Sequence, residues 1–189
     1  MAKHELEHEW SIWEHRAASG GGNKAAQDWS QNMQELCSFS TAEDFWRYFN
    51  HIPRPSEVFF DGQTKKKVGD RQVESLSIFK KGISPEWEDP ANQSGGEWTC
   101  RKNLDPNVLN TYWENLVLGL IGETIDDADE ICGARVVDKS KGDRPIYRLE
   151  LWVRGKDRKT ADKLRDKMIE VMGEEVNPRI MPEFTFKGH

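Results

Sequence analysis

Residues 146–154 read IYRLELWVR and alternate strictly between two kinds of side chain. Tyr147, Leu149, Leu151 and Val153 share one parity, and the other parity carries Ile146, Arg148, Glu150 and Trp152. A period of two is typical of a half-buried β-strand whose apolar side faces the core. Trp152 therefore shares the polar face with two charged residues. An indole there offers a stacking surface and an attraction for cations.

Composition sets the class of protein. The chain has 189 residues, 32% of them charged, and is predicted to form one domain over residues 1–189. No apolar run has the length of a membrane span, and the N-terminal residues lack a signal-peptide pattern. Its three cysteines, at positions 37, 100 and 132, have no metal or redox spacing, which favours reduced thiols in the cytoplasm or nucleus. The net charge of −6 argues against binding along nucleic-acid backbones.

Three helices are predicted. The first follows a capping box of Ser40 and Glu43, with an apolar stripe of Phe45, Tyr48, Phe49 and Ile52. The second begins at Asp105-Pro106, and its core face runs from Val108 to Leu120. The third lies near residues 159–172 and ends at Gly173. On these wheels Trp46 lies about 110° from its helix's stripe and Leu118 about 180° from the core face.

Strands are predicted between the helices, which indicates an α+β fold: a curved antiparallel sheet with about three long helices on its convex face. The other, concave face is left open for a binding pocket. The predicted strands are Leu6–Trp13, Met33–Ser38, Val58–Phe60, Leu76–Phe79, Glu97–Arg101, Ile131–Lys139 and Ile146–Arg154.

Basic residues gather at one end of this open face. Arg135 and Lys139 share a parity on one strand, and the following loop adds Lys141 and Arg144. Basic residues in a hairpin loop are often only solvated. Their proximity to Trp152 makes an anion site an equally good interpretation.

The segment Ile83–Asn92, ISPEWEDPAN, decides between families. With residues 38–52, 77–92, 120–134 and KGDR at 141–144, it resembles the eukaryotic translation initiation factor 4E family, which binds the messenger-RNA cap. The matching pieces occur in family order over nearly the whole chain.

The resemblance assigns roles in cap binding. Trp29 and Trp87 match the pair that stacks on the 7-methylguanine ring, and Glu88 matches the carboxylate that accepts hydrogen bonds from its N1–H and amino group. Trp152 matches the residue that touches the N7-methyl group. Lys139, Lys141 and Arg144 match the triphosphate-binding positions, and Arg135 is an added candidate on the same strand face.

The resemblance also implies a partner surface on the helical, dorsal face. Trp46 matches a tryptophan that packs on a Tyr-x-x-x-x-Leu-hydrophobic helix of the scaffold factor 4G or of 4E-binding proteins. The outward Leu118 fits the same surface. His4 and Leu6 stand where the family has a His-Pro-Leu motif, and Asn115 stands where it has a glutamate.

Several departures predict a divergent paralogue, expected to be monomeric, with weaker or altered cap affinity. Glu97 replaces an arginine of the phosphate side, and Ser75, with Glu74 beside it, replaces an acidic brace. The hairpin after Arg144 and the segment Pro53–Glu74 are longer than usual. The chain ends at His189, where the family continues into a further loop.

Alternatives differ in class. The first hypothesis is a non-enzymatic factor that recruits capped messages to a scaffold, because no catalytic constellation, metal site or cofactor motif is present in the sequence. The second is a paralogue that interacts with proteins or sequesters caps and represses translation. A carbohydrate-binding platform is a third class, which the basic cluster disfavours.

Overall fold

The computed structural model describes residues 2–17, 30–126, 128–173 and 183–189. Seven strands form one sheet in the order β2-β1-β3-β5-β6-β4-β7, and every neighbouring pair is antiparallel. The strands are β1 Glu5–Arg16, β2 Met33–Thr41, β3 Val73–Lys80, β4 Gly96–Asn103, β5 Ile131–Asp138, β6 Ile146–Val153 and β7 Thr185–Gly188.

Three long helices and two single-turn helices accompany the sheet in the described part of the chain. The apolar sides of the three long helices pack in one core with the sheet. These helices therefore lie on the same side of the sheet, which is here called the helical face. The helices are α1 Ala42–Phe49, α2 Pro55–Val58, α3 Pro90–Gln93, α4 Pro106–Ile121 and α5 Arg158–Gly173. None of them is long and apolar enough to cross a membrane.

The main core confirms the predicted helix faces. Phe45 of α1 and Leu116 of α4 are fully buried, and so is Met168 of α5. Asp105 caps α4 through its side chain, which accepts from Asn107 N at 2.8 Å and from Val108 N at 3.4 Å. The Asp-Pro start predicted from the sequence is therefore the observed one.

Other details of the prediction are wrong. Val58–Phe60 is not a strand, because Pro55 opens α2 and Glu57 accepts from the backbone N–H of Arg54 at 2.7 Å. The cap of α1 is Thr41 rather than Ser40, with Thr41 Oγ1 accepting from Asp44 N at 3.2 Å. Tyr48 points outward instead of into the core. Strand β7, which pairs with β4, was not predicted.

The three cysteines are free thiols inside or at the edge of the core. Burial raises the pKa of Cys37, Cys100 and Cys132 to about 11 in each case. A thiol with such a pKa stays protonated at neutral pH and is a poor nucleophile. These residues therefore contribute packing.

Candidate ligand-binding site

The alternation of β6 separates two faces, as predicted. Tyr147, Leu149, Leu151 and Val153 join the main core with the helices. Trp152 belongs to a second, smaller cluster with Phe79, Ile83 and Cys132. Phe79 and Trp152 come from strands whose register places them on the side away from the helices, here called the open face.

The segment 83–92 covers part of the open face and is held by its own side chains. Asp89 accepts from Ser84 N and Ala91 N, both at 2.9 Å. The buried Asn92 donates from Nδ2 to the carbonyls of Ser84 at 2.9 Å and Glu86 at 2.7 Å. These bonds fix the loop from both ends. The loop, here called the WED loop, therefore has one defined shape.

Arg135 ties the WED loop to the sheet. Its Nη2 donates to the carbonyl of Pro85, and its Nε lies 3.8 Å from Glu150 Oε2. The guanidinium carbon also lies 5.0 Å from the centre of the Trp152 ring. Desolvation lowers the pKa of Arg135, against the pull of Glu150.

This position of Arg135 corrects the sequence interpretation. The side chain is on the open face, as its parity predicted, but it is buried and does not join the exposed basic residues of the hairpin. A direct phosphate contact needs a solvent-facing cation. In the described structure Arg135 instead positions the WED loop.

The WED loop presents an exposed aromatic ring beside an exposed carboxylate. Trp87 is 61% exposed, one of three large hydrophobic side chains exposed in the described residues. Glu88 follows it and is also exposed, while its backbone carbonyl accepts from Gln93 Nε2 at 2.8 Å. Exposing an indole costs hydrophobic free energy. A rigid loop that holds one in solvent is typical of a ligand-binding surface.

Trp152 is enclosed, contrary to what a ligand contact needs. The ring is 4% exposed, and its Nε1 donates to Glu150 Oε2 at 2.8 Å. The ring centres of Phe79 and His189 lie 5.4 Å and 4.6 Å from it. The polar-face placement of Trp152 is confirmed. Contact between the indole and a ligand methyl group would require the His189 ring to move.

His189 is held in this place by several bonds. Its backbone N–H donates to Gly95 O at 3.0 Å, and its Nδ1 lies 2.9 Å from Asn92 O. Its Nε2 lies 3.5 Å from Glu97 Oε2. Neither the alternation pattern nor the motifs identified His189, because its contacts depend on the pairing of β7 with β4.

The basic hairpin between β5 and β6 forms the other end of the open face. Lys139 is half-buried, and its backbone N–H donates to Ile146 O at 2.8 Å. Lys141 and Arg144 are exposed, and their backbones form an antiparallel bridge across the turn. Desolvation and the neighbouring Arg148 and Arg101 lower the pKa of Lys139. Of the predicted basic patch, these three residues lie on the hairpin and Arg135 does not.

Trp29, the predicted second ring of the base sandwich, lies outside the described residues. Its role stays a prediction.

Helix α1 carries the other two exposed large hydrophobic side chains. Trp46 is 41% exposed and Tyr48 39% exposed, but two residues apart on a helix they point about 200° away from each other and do not form one surface. Leu118 is half-buried against the core. Asn115 is committed to the fold, because its Nδ2 donates to Met172 O at 3.1 Å and joins α4 to α5.

The predicted N-terminal part of the dorsal surface lies beside α1. His4 accepts from Ala42 N at 2.9 Å through its carbonyl, and its backbone N–H donates to Glu43 Oε2 at 3.0 Å. Its ring Nδ1 lies 2.6 Å from Glu43 Oε1, which raises the pKa of His4. Leu6 packs half-buried against the core. His4 therefore adjoins α1, and the role of His4 and Leu6 in a partner site stays a prediction.

Comparison with known proteins assigns the fold to a family. The family described as Eukaryotic initiation factor 4E matches residues 5–189. Eukaryotic translation initiation factor 4E1 of Drosophila melanogaster is 35% identical over 153 residues, 80% of this chain and 51% of that protein. Factor 4E-2 of Solanum lycopersicum is 37% identical over 159 residues, 84% of this chain and 62% of that protein. The chain thus spans between half and two thirds of the length of these relatives.

Solved structures agree with this comparison. C. elegans eIF4E-3, in a complex with the 4E-binding protein Mextli, has a TM-score of 0.78 at 24% identity, covering 100% of this chain and 94% of that one. A schistosome eIF4E complexed with m7GpppA and 4E-BP has a TM-score of 0.75 at 26% identity, covering 100% of this chain and 89% of that one. The solved structures show the same fold, and the match over residues 5–189 shows that the chain belongs to the eukaryotic initiation factor 4E family.

Proposed function

We propose that this protein binds the 7-methylguanosine cap of messenger RNA and, as a non-catalytic factor, recruits capped messages to a translation initiation scaffold. The observation that carries the proposal is Trp87, 61% exposed on a braced loop with an exposed carboxylate next to it. Solved relatives include an Ascaris suum eIF4E-3 in a complex with the m7G cap. The same chemistry fits the WED loop of this chain.

The base is recognised by its charge and its edge. Methylation at N7 makes guanine cationic, so the face of Trp87 gains cation–π attraction in addition to stacking. The Glu88 carboxylate accepts two hydrogen bonds from neighbouring donors, the N1–H and the amino group of guanine. Adenine does not present that pair of donors. Trp29 is proposed as the ring on the other side of the base.

Trp152 supports the site through packing, because its ring is buried and does not face the solvent. Its ring, packed with Phe79, Arg135 and His189, supports the open face against which the WED loop rests. We retain a contact with the N7-methyl group as a proposal that requires displacement of the His189 ring.

Titration with 7-methyl-GTP and with GTP, followed by tryptophan fluorescence, tests the proposal. We expect strong quenching and a clear preference for the methylated nucleotide. Replacing Glu88 with Ala should weaken binding by about 1–3 kcal/mol, because the guanine edge loses its acceptor.

Glu170→Ala is the matched control, because Glu170 is an exposed carboxylate on α5 that pairs only with Lys167 in the described residues. Its affinity should equal that of the wild type. Equal affinity of the wild type for GTP and 7-methyl-GTP would exclude the base sandwich.

A second candidate function is favoured by the dorsal surface. Trp46 leaves aromatic area exposed on α1, a helix that packs through Phe45 on the side of the sheet away from the WED loop. An amphipathic helix of a partner buries such residues in a groove. We propose a scaffold of the 4G type or a 4E-binding protein as this partner. If cap affinity proves negligible, the chain is better described as an interaction module that represses translation.

Retention on immobilised 7-methylguanosine separates the two functions. A cap-binding factor is retained and elutes with free 7-methyl-GTP. A paralogue that only binds proteins passes through the column while still binding the partner helix.

A further inference from the structure

Two arginines face each other across neighbouring strands at the hairpin end of the open face. Arg101 of β4 is the register partner of Arg148 of β6, which in turn is opposite Val137 of β5. Like charges directly opposite each other in a sheet are destabilising. The chain has a net charge of −6, so an excess of basic residues does not explain why two arginines stand opposite each other.

The two arginines differ in what they contact. Arg148 Nε lies 2.6 Å from Oε1 of the buried Glu150, so its charge is partly balanced. Arg101 is exposed, and its Nη2 donates to the backbone carbonyl of Lys139 at 3.5 Å. Among residues 2–17, 30–126, 128–173 and 183–189, no carboxylate forms an ion pair with Arg101. The contact with a neutral carbonyl holds the guanidinium without neutralising it.

Lys139 brings a third cation to the same place. It lies at the end of β5 beside both arginines, and their proximity contributes to the lowered pKa of its ammonium group. The exposed Lys141 and Arg144 follow on the same hairpin. The acids whose charges act on Lys139 are Glu150, which is already paired with Arg148, and Glu74, which lies 3.5 Å from His15 Nδ1; Glu97 interacts with Arg148 from farther along β4. The positive charge of the cluster is therefore left largely uncompensated.

The position of the cluster relative to the WED loop indicates the shape of its ligand. Arg101 lies four positions after Glu97 on β4, which is about 13 Å along a strand, and Glu97 is the register partner of the enclosed Trp152. Pro85 of the WED loop accepts a hydrogen bond from Arg135 on the open face. Arg135 is opposite Glu150, which is two positions from Arg148 on the same face of β6. A ligand with its base at Trp87 would extend its anionic part along the sheet toward the arginines.

We propose that Arg101 and Arg148, together with Lys139, form a polyphosphate-binding site that extends the basic hairpin onto strands β4 and β6. The planar guanidinium of Arg101 contacts phosphate oxygens directly, in the forked geometry that suits them. Arg148 adds charge while it remains paired with Glu150. The inference rests on the proposed function for the identity of the base and adds the residues that select for the length of the phosphate chain.

The test compares 7-methylguanosine with its mono-, di- and triphosphate, by fluorescence titration of the wild type and of Arg101→Gln. The wild-type affinity should rise with each phosphate. In Arg101→Gln we expect unchanged affinity for the nucleoside and about tenfold weaker binding of the triphosphate, with a shallower salt dependence. Arg101→Lys should recover part of the loss, because it restores the charge without the fork.

Arg47→Gln is the matched control, an exposed arginine on α1 whose replacement changes the net charge equally. It should bind every nucleotide as the wild type does. Equal losses in Arg47→Gln and Arg101→Gln would overturn the inference, since net charge alone would then explain them.

Inorganic tripolyphosphate separates this inference from the proposed function. If the wild type binds the nucleoside but Arg101→Gln keeps the full gain from added phosphates, the polyphosphate site is refuted and cap binding stands. If the nucleoside fails to bind while tripolyphosphate raises the melting temperature of the wild type and not of Arg101→Gln, the site stands and cap binding falls. If the wild type binds neither probe, both are refuted.

Discussion

The surroundings of Glu97 include groups that raise its pKa and groups that lower it. Desolvation and the nearby Glu150 carboxylate raise the pKa of Glu97, while His189 and Arg148 act in the opposite direction. The pKa in the folded protein is above the value of 4.5 for an exposed glutamate. The folded state therefore favours the protonated acid. The stability contributed by this preference is present at low pH and is lost as the pH rises through the folded pKa.

Replacement of Glu97 by Gln should consequently stabilise the protein at neutral pH. The free energy of unfolding of the variant should exceed that of the wild type at about pH 7, and the difference should shrink at about pH 4 and below, where both side chains are neutral. Denaturant unfolding at a series of pH values measures it. Glu170→Gln, an exposed control, should show no such trend. A variant less stable than the wild type at neutral pH would mean that the attraction between Glu97 and His189 outweighs desolvation.

The WED loop is an element whose shape comes from local contacts, while its place on the sheet comes from a contact distant in sequence. Asp89 and Asn92 close the loop locally, but the tie to the sheet joins Pro85 to Arg135, 50 positions away. The same arginine stands over the Trp152 ring and near Glu150. Removing one partner of a buried ion pair leaves an uncompensated buried charge, which lowers the free energy of unfolding. Arg135 is therefore compatible with a stable fold only while its partners are present.

Arg135→Met should therefore affect both stability and binding. We expect a loss of about 3–5 kcal/mol in the free energy of unfolding, since Glu150 loses one of its two arginines inside the sheet. In the fraction that stays folded, affinity for 7-methyl-GTP should fall while the salt dependence of binding stays unchanged, because Arg135 does not touch the phosphates. The double variant Arg135→Met/Glu150→Gln should recover stability without recovering affinity. A reduced salt dependence in the single variant would return Arg135 to the phosphate site.

At the scale of elements, the sequence predicted the periodic faces and one helix cap, at Asp105, but assigned the cap of α1 to Ser40 instead of Thr41. The alternation in β6 gave both of its faces, and Asp105-Pro106 gave the start of α4. The single turns α2 and α3 are too short to show a period. The role of Arg135 escaped prediction because parity identifies a face of the sheet and not what covers it. The motif around Trp87 was recognisable, whereas the covering of Trp152 by His189 depends on the pairing of β7.

The sheet as a whole separates two surfaces. The open face carries the WED loop and the basic hairpin, and the helical face carries the exposed Trp46. The main core between them draws residues from β1 through to Phe184. Distant sites with no shared contacts usually have additive energetics. We therefore expect the two surfaces to bind their ligands independently unless one of them changes shape.

Trp46→Ala should weaken binding of a peptide with the Tyr-x-x-x-x-Leu-hydrophobic motif by at least about 2 kcal/mol, as loss of a central aromatic anchor does. Its affinity for 7-methyl-GTP should stay that of the wild type. Trp87→Ala should show the reverse pattern. Isothermal titration of both variants with both ligands measures the four affinities, with Arg47→Ala as the control for a change on α1 beside the indole. A drop in cap affinity in Trp46→Ala would show that the helical face and the WED loop are coupled through the sheet. Unchanged peptide binding in that variant would remove α1 from the partner site and leave the cap-sequestering function in its place.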